Sequence, residues 1–125
     1  MAIETRSQTR QVVRNFFAAW TQGDVAAAGQ YLADDLVFSG TVKSLNGASA
    51  YLTALSEYRT LVTTGNDLIS ELYGDAEATL IYNSHTLAGP IRMAEHFHLT
   101  EGKISSLILI FDPTTLFAFK AAHGQ

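Results

Sequence analysis

The stretch MAEHFHLTEGKISSLILIF, Met93–Phe111, predicts two antiparallel strands that meet at the turn Glu101-Gly102. Successive side chains of a strand alternate between its two faces. One face of the first strand is apolar except for a single carboxylate: Ile91, Met93, Glu95, Phe97 and Leu99. The other face carries Arg92, Ala94, His96, His98 and Thr100. We therefore expect the first set to line the core or a pocket, and the second set to face solvent or another subunit.

The second strand of this hairpin is apolar on both faces, with Leu107, Leu109 and Phe111 on one and Ile108 and Ile110 on the other. An antiparallel sheet with one solvated face would show alternation instead. We therefore expect its second face to be covered as well. A homodimer formed sheet to sheet is the simplest cover, and the alternative is that the C-terminal segment Thr114–Ala122 folds back over it.

Helical patterns occupy the first half of the chain. The first helix is predicted over Thr5–Gln22, with an apolar stripe that consists of Val13, Phe16, Phe17 and Trp20. Gly23 ends this helix, and Asp24 is a suitable cap for a short second helix over Val25–Leu32.

A first short strand, LVFSG (36–40), and the turn Asn46-Gly47 precede a third helix. One face of that helix is predicted to carry Tyr51, Leu55, Tyr58 and Val62. From Asn66 onward the period changes to two, which predicts strands over 67–73, 77–86, 91–100 and 103–111. The turns between them are predicted at Gly74-Asp75, Ala88-Gly89-Pro90 and Glu101-Gly102.

The composition fits one domain that spans residues 1–125 and has one core. Hydrophobic residues make up 47% of the chain and charged residues 16%, as is typical of a well-packed globular protein. Helices in the first half and strands in the second predict an α+β fold, with the helices packed on one face of an antiparallel sheet.

Several classes of function are disfavoured by composition. Cysteine is absent, so neither a disulfide framework nor thiolate chemistry is expected. The net charge is −4 and only three arginines cluster, so nucleic acid is not an expected partner. No apolar run approaches the roughly 20 residues that span a bilayer, so no membrane partner is expected. The polar N-terminus carries Glu4 and is unlike a signal peptide, which favours a cytoplasmic protein.

Two stretches carry a resemblance to a known family: QGDVAAAGQYLADDLVF (Gln22–Phe38) and HLTEGKISSLILIFD (His98–Asp112). With the order of elements, they resemble the nuclear transport factor 2-like superfamily and, within it, the SnoaL-like group. The resemblance implies a cone-shaped roll, in which three N-terminal helices pack on the concave face of a curved antiparallel sheet and enclose a pocket. The superfamily includes isomerases, cyclases, epoxide hydrolases, dehydratases and non-catalytic binding domains, so the site must be argued separately.

Glu95 is the first candidate for catalysis, because a carboxylate on an apolar face is costly to bury unpaired. Burial raises the pKa of such a group, and a raised pKa suits a general acid or a donor to an oxyanion. By resemblance, Glu95 lies about where the ketosteroid isomerases carry a protonated aspartic acid. The alternatives are an ion pair with Arg92 or Lys103 at the rim, or a structural hydrogen bond to a tyrosine: Tyr51, Tyr58 or Tyr82.

Other catalytic residues of the similar enzymes do not carry over. The oxyanion tyrosine of the ketosteroid isomerases would fall at Phe16, and their general-base aspartate at Gly40. The Asp–Arg–Asp set of the limonene epoxide hydrolases would fall near Tyr82, Ser84 and Leu109. Neither of these two mechanisms is therefore expected in this chain.

Asp112 is the second candidate for catalysis, because it has the spacing at which the SnoaL-like cyclases carry an aspartate base. Asp112-Pro113 is also a natural strand terminator, since the residue before proline is held extended. The role of base and the role of a structural turn residue both stay open at this point.

The pair His96 and His98 could contribute to a metal site only with a third ligand and an orienting second shell. His85 is the only other histidine in the middle of the chain, and the sequence does not fix the face on which it lies. We therefore predict neither a metal nor another cofactor.

A mostly apolar pocket is predicted, lined by Phe16 or Phe17 and by Trp20, Phe38, Tyr51, Leu55, Tyr82, Met93, Phe97, Leu107 and Phe111. Such a pocket suits a small hydrophobic molecule. Proton-transfer chemistry with Glu95 as acid would fit isomerisation, cyclisation or dehydration. The alternatives are a non-catalytic binding domain, or an association domain that recruits a protein through the face around Ile108 and Ile110.

Overall fold

A computed structural model describes residues 4–124 of the chain. Its helices are α1 (Arg6–Thr21), α2 (Val25–Ala28), α3 (Ala48–Arg59) and α4 (Thr114–Ala122), with a short 3₁₀ turn over Gly29–Tyr31. Its strands are β1 (Leu32–Gly40), β2 (Ser44–Asn46), β3 (Val62–Tyr73), β4 (Glu77–Thr86), β5 (Gly89–Thr100) and β6 (Lys103–Phe111). The α+β class predicted from the sequence is confirmed.

The strands form one six-stranded sheet in the order β2-β1-β6-β5-β4-β3. Four consecutive strands, β3 to β6, pair antiparallel as predicted. β1 adds a parallel pair with β6, which the sequence pattern did not indicate. Shifts of register occur at four places in three strand pairs: Leu32/Val37, Val62/Gly65, Leu68/Ser70 and His98/Leu99. Such irregularities bend strands, which is consistent with the curved sheet.

The hairpin of β5 and β6 has the predicted turn and the predicted faces. Thr100 pairs with Lys103, and Glu101 and Gly102 both have positive φ, at 51° and 78°. Two positive φ values are the signature of the tightest hairpin turns. Along β5, burial alternates as expected, with Ile91, Met93, Glu95, Phe97 and Leu99 all buried.

Helix α1 packs its apolar stripe on the buried side of the sheet. A capping box begins the helix, in which Thr5 and Gln8 bind each other's backbone N–H groups. The buried residues of the helix are Thr9, Val13, Phe16, Phe17 and Trp20. Thr9 Oγ1 also donates to the Asp75 carbonyl oxygen at 2.7 Å, which ties the helix to the turn between β3 and β4.

Arg59, at the end of α3, holds the end of α1 through its guanidinium. It donates to the carbonyl oxygens of Trp20 and Thr21, both at 3.1 Å, and to that of Val62 at 3.4 Å. The last carbonyls of a helix lack intrahelical partners and carry partial negative charge. The cation therefore satisfies them and fixes α3 against α1, and these two helices carry much of the site.

Several boundaries differ from the sequence prediction. The second helix stops at Ala28, and β1 begins at Leu32 rather than Leu36. Val62 was expected on the third helix but begins β3, where it pairs with Thr86. β2 was not predicted, and the turn between β4 and β5 lies at 87–88 rather than at 88–90. Leu32 pairs with Ile104 and Val62 with Thr86, so at these two positions pairing with a strand distant in the chain outweighs local preference.

The C-terminal segment does not cover the outer face of the sheet, which corrects one of the alternatives considered from the sequence. α4 instead packs Leu116 into the core. Ile108 and Ile110 remain 40% and 62% exposed on the outer face. Among the described helices, none has the length and apolar character required to cross a membrane.

We expect Arg59→Met to lower the free energy of unfolding by roughly 2 kcal/mol, because it removes charged donors from three carbonyl oxygens. Urea unfolding followed by circular dichroism measures this. Arg6→Met, at an exposed position in the first turn of α1, is the matched control and should stay within about 0.5 kcal/mol of the parent. Equal stability of the two variants would contradict the proposed clamp.

Candidate functional site

The helices and the sheet enclose an open cavity of about 430 Å³. Its walls are mainly apolar and include Trp20, Phe38, Leu55, Leu61, Met93, Phe111 and Leu116. Polar side chains also line it: Thr41, Thr60, Tyr51, Tyr58, Tyr82 and Glu95. Charged side chains at its border belong to Lys43, Glu57 and Lys120. A cavity with apolar walls and a few polar groups is the usual form of a small-molecule site.

Among residues 4–124, Glu95 carries the one carboxyl group that is buried in the wall of this cavity. Only 3% of its surface is exposed. The Tyr82 hydroxyl donates to Glu95 Oε1 at 2.6 Å. Oε2 accepts no hydrogen bond from any described residue. Burial raises the pKa of Glu95 from its ordinary 4.5 to about 7, and the hydrogen bond from Tyr82 partly opposes this rise.

The neighbouring tyrosines place more hydroxyl groups around Glu95. Tyr58 shares a hydrogen bond of 2.5 Å with Ser84 and approaches Met93 Sδ at 3.9 Å. The Tyr51 hydroxyl makes no hydrogen bond within the described part of the chain. Burial, together with the charge of Glu95, raises the pKa of Tyr51 well above 10 and that of Tyr58 to about 12. Both therefore stay protonated near neutral pH and can act as donors.

No cation neutralises Glu95 among residues 4–124. Arg92 points to the opposite face, where its Nε donates to Asn83 Oδ1 at 2.7 Å. Lys103 instead donates to the Gln30 carbonyl oxygen. The ion pair considered from the sequence is therefore wrong, and the hydrogen bond to Tyr82 is the arrangement found.

Most of the predicted lining residues border the cavity: Trp20, Phe38, Tyr51, Leu55, Tyr82, Met93 and Phe111. Phe16, Phe97 and Leu107 do not, and each is fully buried in the core behind the wall. The Phe16 ring lies 6.4 Å from that of Tyr51 and 6.0 Å from that of Phe97, as centroid distances. These three residues support the wall, and contact of the others with a ligand stays a prediction.

Asp112 lies outside the cavity and is exposed, so this geometry does not support the catalytic base suggested by its spacing. Its Oδ1 accepts from Thr114 Oγ1 at 2.7 Å and from the Thr114 backbone N–H at 3.0 Å, at the start of α4. These hydrogen bonds lower the pKa of Asp112 below its ordinary value. The carboxylate is anchored by local turn chemistry, which is the structural alternative considered above.

Gly40, where the resemblance would place a general-base aspartate, has no room for a side chain. An added Cβ would lie 2.9 Å from the Phe38 ring and 3.0 Å from the Lys43 carbonyl oxygen. Phe38 fills the space that such a carboxylate would need, and its ring packs 5.0 Å from that of Tyr51.

Two histidines, His85 and His96, are engaged on the outer face, where His98 is exposed. His96 Nδ1 and Thr79 Oγ1 are 2.8 Å apart, and His85 Nε2 lies 2.7 Å from Asp67 Oδ2. No group of three potential metal ligands occurs among residues 4–124.

Sequence reasoning missed several cavity residues, among them Lys43, Leu61, Leu116, Phe117 and Lys120. Leu116, Phe117 and Lys120 lie on α4, whose pattern indicates a helix but not the surface on which it packs. Tyr58 was assigned to the correct helix face, and this was a usable signal for its position.

We expect Glu95 to titrate near pH 7, since its carboxyl is buried without a cation. Carbon NMR of labelled protein measures this, with Glu95→Gln to assign the resonance. Tyr82→Phe should raise the pKa of Glu95 further, by roughly one pH unit, because it removes the donor to the carboxylate. Tyr73→Phe, away from the cavity, is the control. Titration of Glu95 near 4.3, the value in free peptides, would contradict the buried site.

We also expect Glu95 to make stability fall as pH rises from about 4.5 to 7. Its folded-state pKa lies above its ordinary value, so over this range the unfolded chain loses the proton while the folded protein keeps it. The free energy of unfolding of the parent, minus that of Glu95→Gln, should decrease by roughly 3 kcal/mol over this range. Urea unfolding at a series of pH values measures the difference. A constant difference would show that Glu95 is not buried without a cation.

Comparison with known proteins agrees with the fold. A search of the curated proteins finds no match. A solved structure from Kribbella flavida DSM 17836 is similar, with 23% identity, a TM-score of 0.88 and coverage of 94% of this chain and 98% of that chain.

Two further structures are similar at 18% identity. One is a putative ketosteroid isomerase from Kribbella flavida DSM 17836, with a TM-score of 0.79 and coverage of 89% of this chain and 82% of that chain. The other is an LEH-like epoxide hydrolase of M. tuberculosis, with a TM-score of 0.71 and coverage of 90% of this chain and 89% of that chain. At such identities the likeness shows a shared fold alone. Residues 13–107, most of the chain, match the sequence profile of the SnoaL-like domain, and the protein therefore belongs to the SnoaL-like family, as its sequence motifs suggested.

Proposed function

We propose that this protein binds a small hydrophobic carbonyl compound and uses the protonated carboxyl of Glu95 as an acid. The observation that carries the proposal is the geometry of this group in an apolar cavity. Tyr82 occupies Oε1, while Oε2 has no partner among the described residues. Protonated Glu95 would hydrogen-bond the carbonyl oxygen and transfer its proton to that oxygen while a neighbouring carbon loses a proton to water. The products are the enol and the Glu95 carboxylate, and a proton returned from water restores the acid.

The surroundings favour this role for three reasons. Apolar walls exclude much of the water, which strengthens a hydrogen bond to developing negative charge. A pKa near 7 leaves a large share of Glu95 protonated at neutral pH. Tyr51 supplies a second hydroxyl without a partner in the described chain, at the same cavity wall. Enolisation is the common step of isomerisation, aldol-type cyclisation and dehydration, and none of these assignments requires a metal or cofactor.

The name of one similar structure, a putative ketosteroid isomerase, agrees with this class of chemistry, whereas that of another, an LEH-like epoxide hydrolase, does not. A second candidate function is non-catalytic binding of the same kind of molecule. The blocked position at Gly40 favours it, because no carboxylate base can stand there without displacing Phe38 or the Lys43 carbonyl.

Exchange of carbon-bound protons distinguishes the two functions. We expect the protein to accelerate exchange of the α-protons of 2-tetralone in D₂O, followed by proton NMR. Glu95→Gln should reduce the acceleration roughly a hundredfold, because an amide cannot transfer the proton. The acceleration over buffer should also decline as pH rises through about 7, as the acid form of Glu95 is lost.

Glu77→Gln, at an exposed position on the outer face, is the matched control and should retain the parent rate. Binding to 2-naphthol, an enol analogue, can be followed by the fluorescence of Trp20, which is the only tryptophan. Binding without exchange would support the non-catalytic function. Exchange that persists in Glu95→Gln would refute the role of this residue.

We also propose that the outer face of the sheet binds a second copy of this chain. The face exposes Val37, Leu72, Ile108 and Ile110, and it also carries Arg92 together with Asp67 and Glu77. A twofold arrangement allows opposite charges at the edges of such a face to meet around an apolar centre.

Light scattering after size exclusion should therefore give about twice 13.6 kDa for the parent. Ile110→Glu should give a monomer, because it places a charge at the apolar centre. Leu87→Glu, equally apolar and exposed but in the turn between β4 and β5, should stay dimeric. A monomeric parent would instead leave this face free for a different protein.

A further inference from the structure

The border of the cavity is flanked by two lysines from separate parts of the chain. Lys43 follows β1 in the turn to β2, and Lys120 lies in the last turn of α4. The chain contains only three lysines and has a net charge of −4. Two of its three lysines therefore converge on one cavity of an acidic protein.

These two lysines are not engaged by acidic side chains. Neither makes an ion pair or a side-chain hydrogen bond within residues 4–124, whereas the third, Lys103, donates to the Gln30 carbonyl oxygen. Lys120 also suits the end of α4 by its charge, but Lys43 lies in a turn and has no such role. Glu57 is the one acidic residue that shares this border, and its side chain is exposed.

The cavity thus carries polar groups both in its buried wall and at its border, and most of its remaining lining is apolar. Glu95, Tyr82 and Tyr51 lie in its buried wall, and Lys43 and Lys120 lie at its border. Val42, which precedes Lys43, and Phe117, one helical turn before Lys120, are exposed and add apolar surface at the border. A ligand that fills the cavity would meet hydrogen-bond donors at its inner end and positive charge at its outer end.

We propose that the natural ligand is an amphipathic carboxylate: an apolar ring body with a carbonyl or hydroxyl group for Glu95 and an anionic carboxylate for Lys43 and Lys120. This inference rests on the proposed function, because the orientation of the ligand is set by Glu95. An ammonium group at the border of an apolar cavity is less screened than one on an open surface, so a carboxylate there contributes to affinity. Neutral molecules of the same shape lack this contribution.

Matched probes test the proposal in the full chain. They are neutral 2-naphthol, the anions 6-hydroxy-2-naphthoate and 3-(6-hydroxy-2-naphthyl)propanoate, and the uncharged methyl esters of both acids. Binding is measured through Trp20 fluorescence at low and high salt. We expect at least one anion to bind roughly five- to tenfold more tightly than its ester at low salt, and we expect added salt to reduce this preference.

The double variant Lys43→Met/Lys120→Met should abolish the preference while leaving affinity for the esters and for 2-naphthol unchanged. Lys103→Met is the control and should keep it. Glu57→Gln should increase it, because an acidic neighbour of the carboxylate is removed.

The outcomes separate this inference from the proposed function. Equal binding of anions and esters in the parent, with 2-naphthol still sensitive to Glu95→Gln, would overturn the carboxylate class alone. A preference for anions that persists in the double lysine variant would also overturn it. Loss of the preference in that variant, with affinities insensitive to Glu95→Gln, would support the lysine site and refute the role of Glu95.

Discussion

The burial of one carboxyl group, Glu95, is the constraint around which this site is organised. Side chains alternate between the two faces of β5, and Met93 and Phe97 on the buried face belong to the core. Glu95 lies between them on the same face and must therefore be buried. A carboxylate in such surroundings needs compensation. The structure supplies a hydroxyl from Tyr82 and no cation among the described residues. Burial therefore keeps the pKa of Glu95 raised to about 7, although the hydrogen bond from Tyr82 partly opposes this rise.

The cavity exists because two helices are held above the sheet at fixed positions. Arg59 ties the end of α3 to the end of α1, so that Trp20 and Tyr58 approach each other with ring centroids 6.3 Å apart. Behind the wall, Phe16 and Phe97 are fully buried in the core. A tightly packed support of this kind keeps the polar groups of the wall in place, as a binding or catalytic site requires.

The cavity has different polar groups in its buried wall and at its border, and this difference would orient a bound ligand. Hydroxyl and carboxyl groups lie in the buried wall, where their proton affinity is raised by desolvation. Lys43 and Lys120 lie at the border, where α4 and the turn after β1 meet the cavity. Gly40 lies between Phe38 in the cavity wall and Lys43 at the border. Its lack of a side chain allows the Phe38 ring and the Lys43 carbonyl oxygen to pack closely around it.

The sequence by itself determined the fold class, the β5–β6 hairpin and the side of β5 on which Glu95 lies. Alternation is a local property, so it specifies the face of a strand without knowledge of the rest of the chain. The buried faces of the lining residues on the strands, such as Tyr82 and Met93, followed from the same reasoning. The absence of two known catalytic sets, at Phe16, Gly40 and Ser84, followed instead from the resemblance to the enzymes that carry them.

Only the tertiary structure decided the depth of each residue and the partners of each polar group. Phe97 and Leu107 share a face with lining residues but lie behind the wall, because periodicity gives a direction and not a distance. The placement of α4, and with it Lys120 and the exposed Asp112, depends on contacts between segments far apart in sequence. A cavity is a gap left between such segments, and no local pattern encodes it.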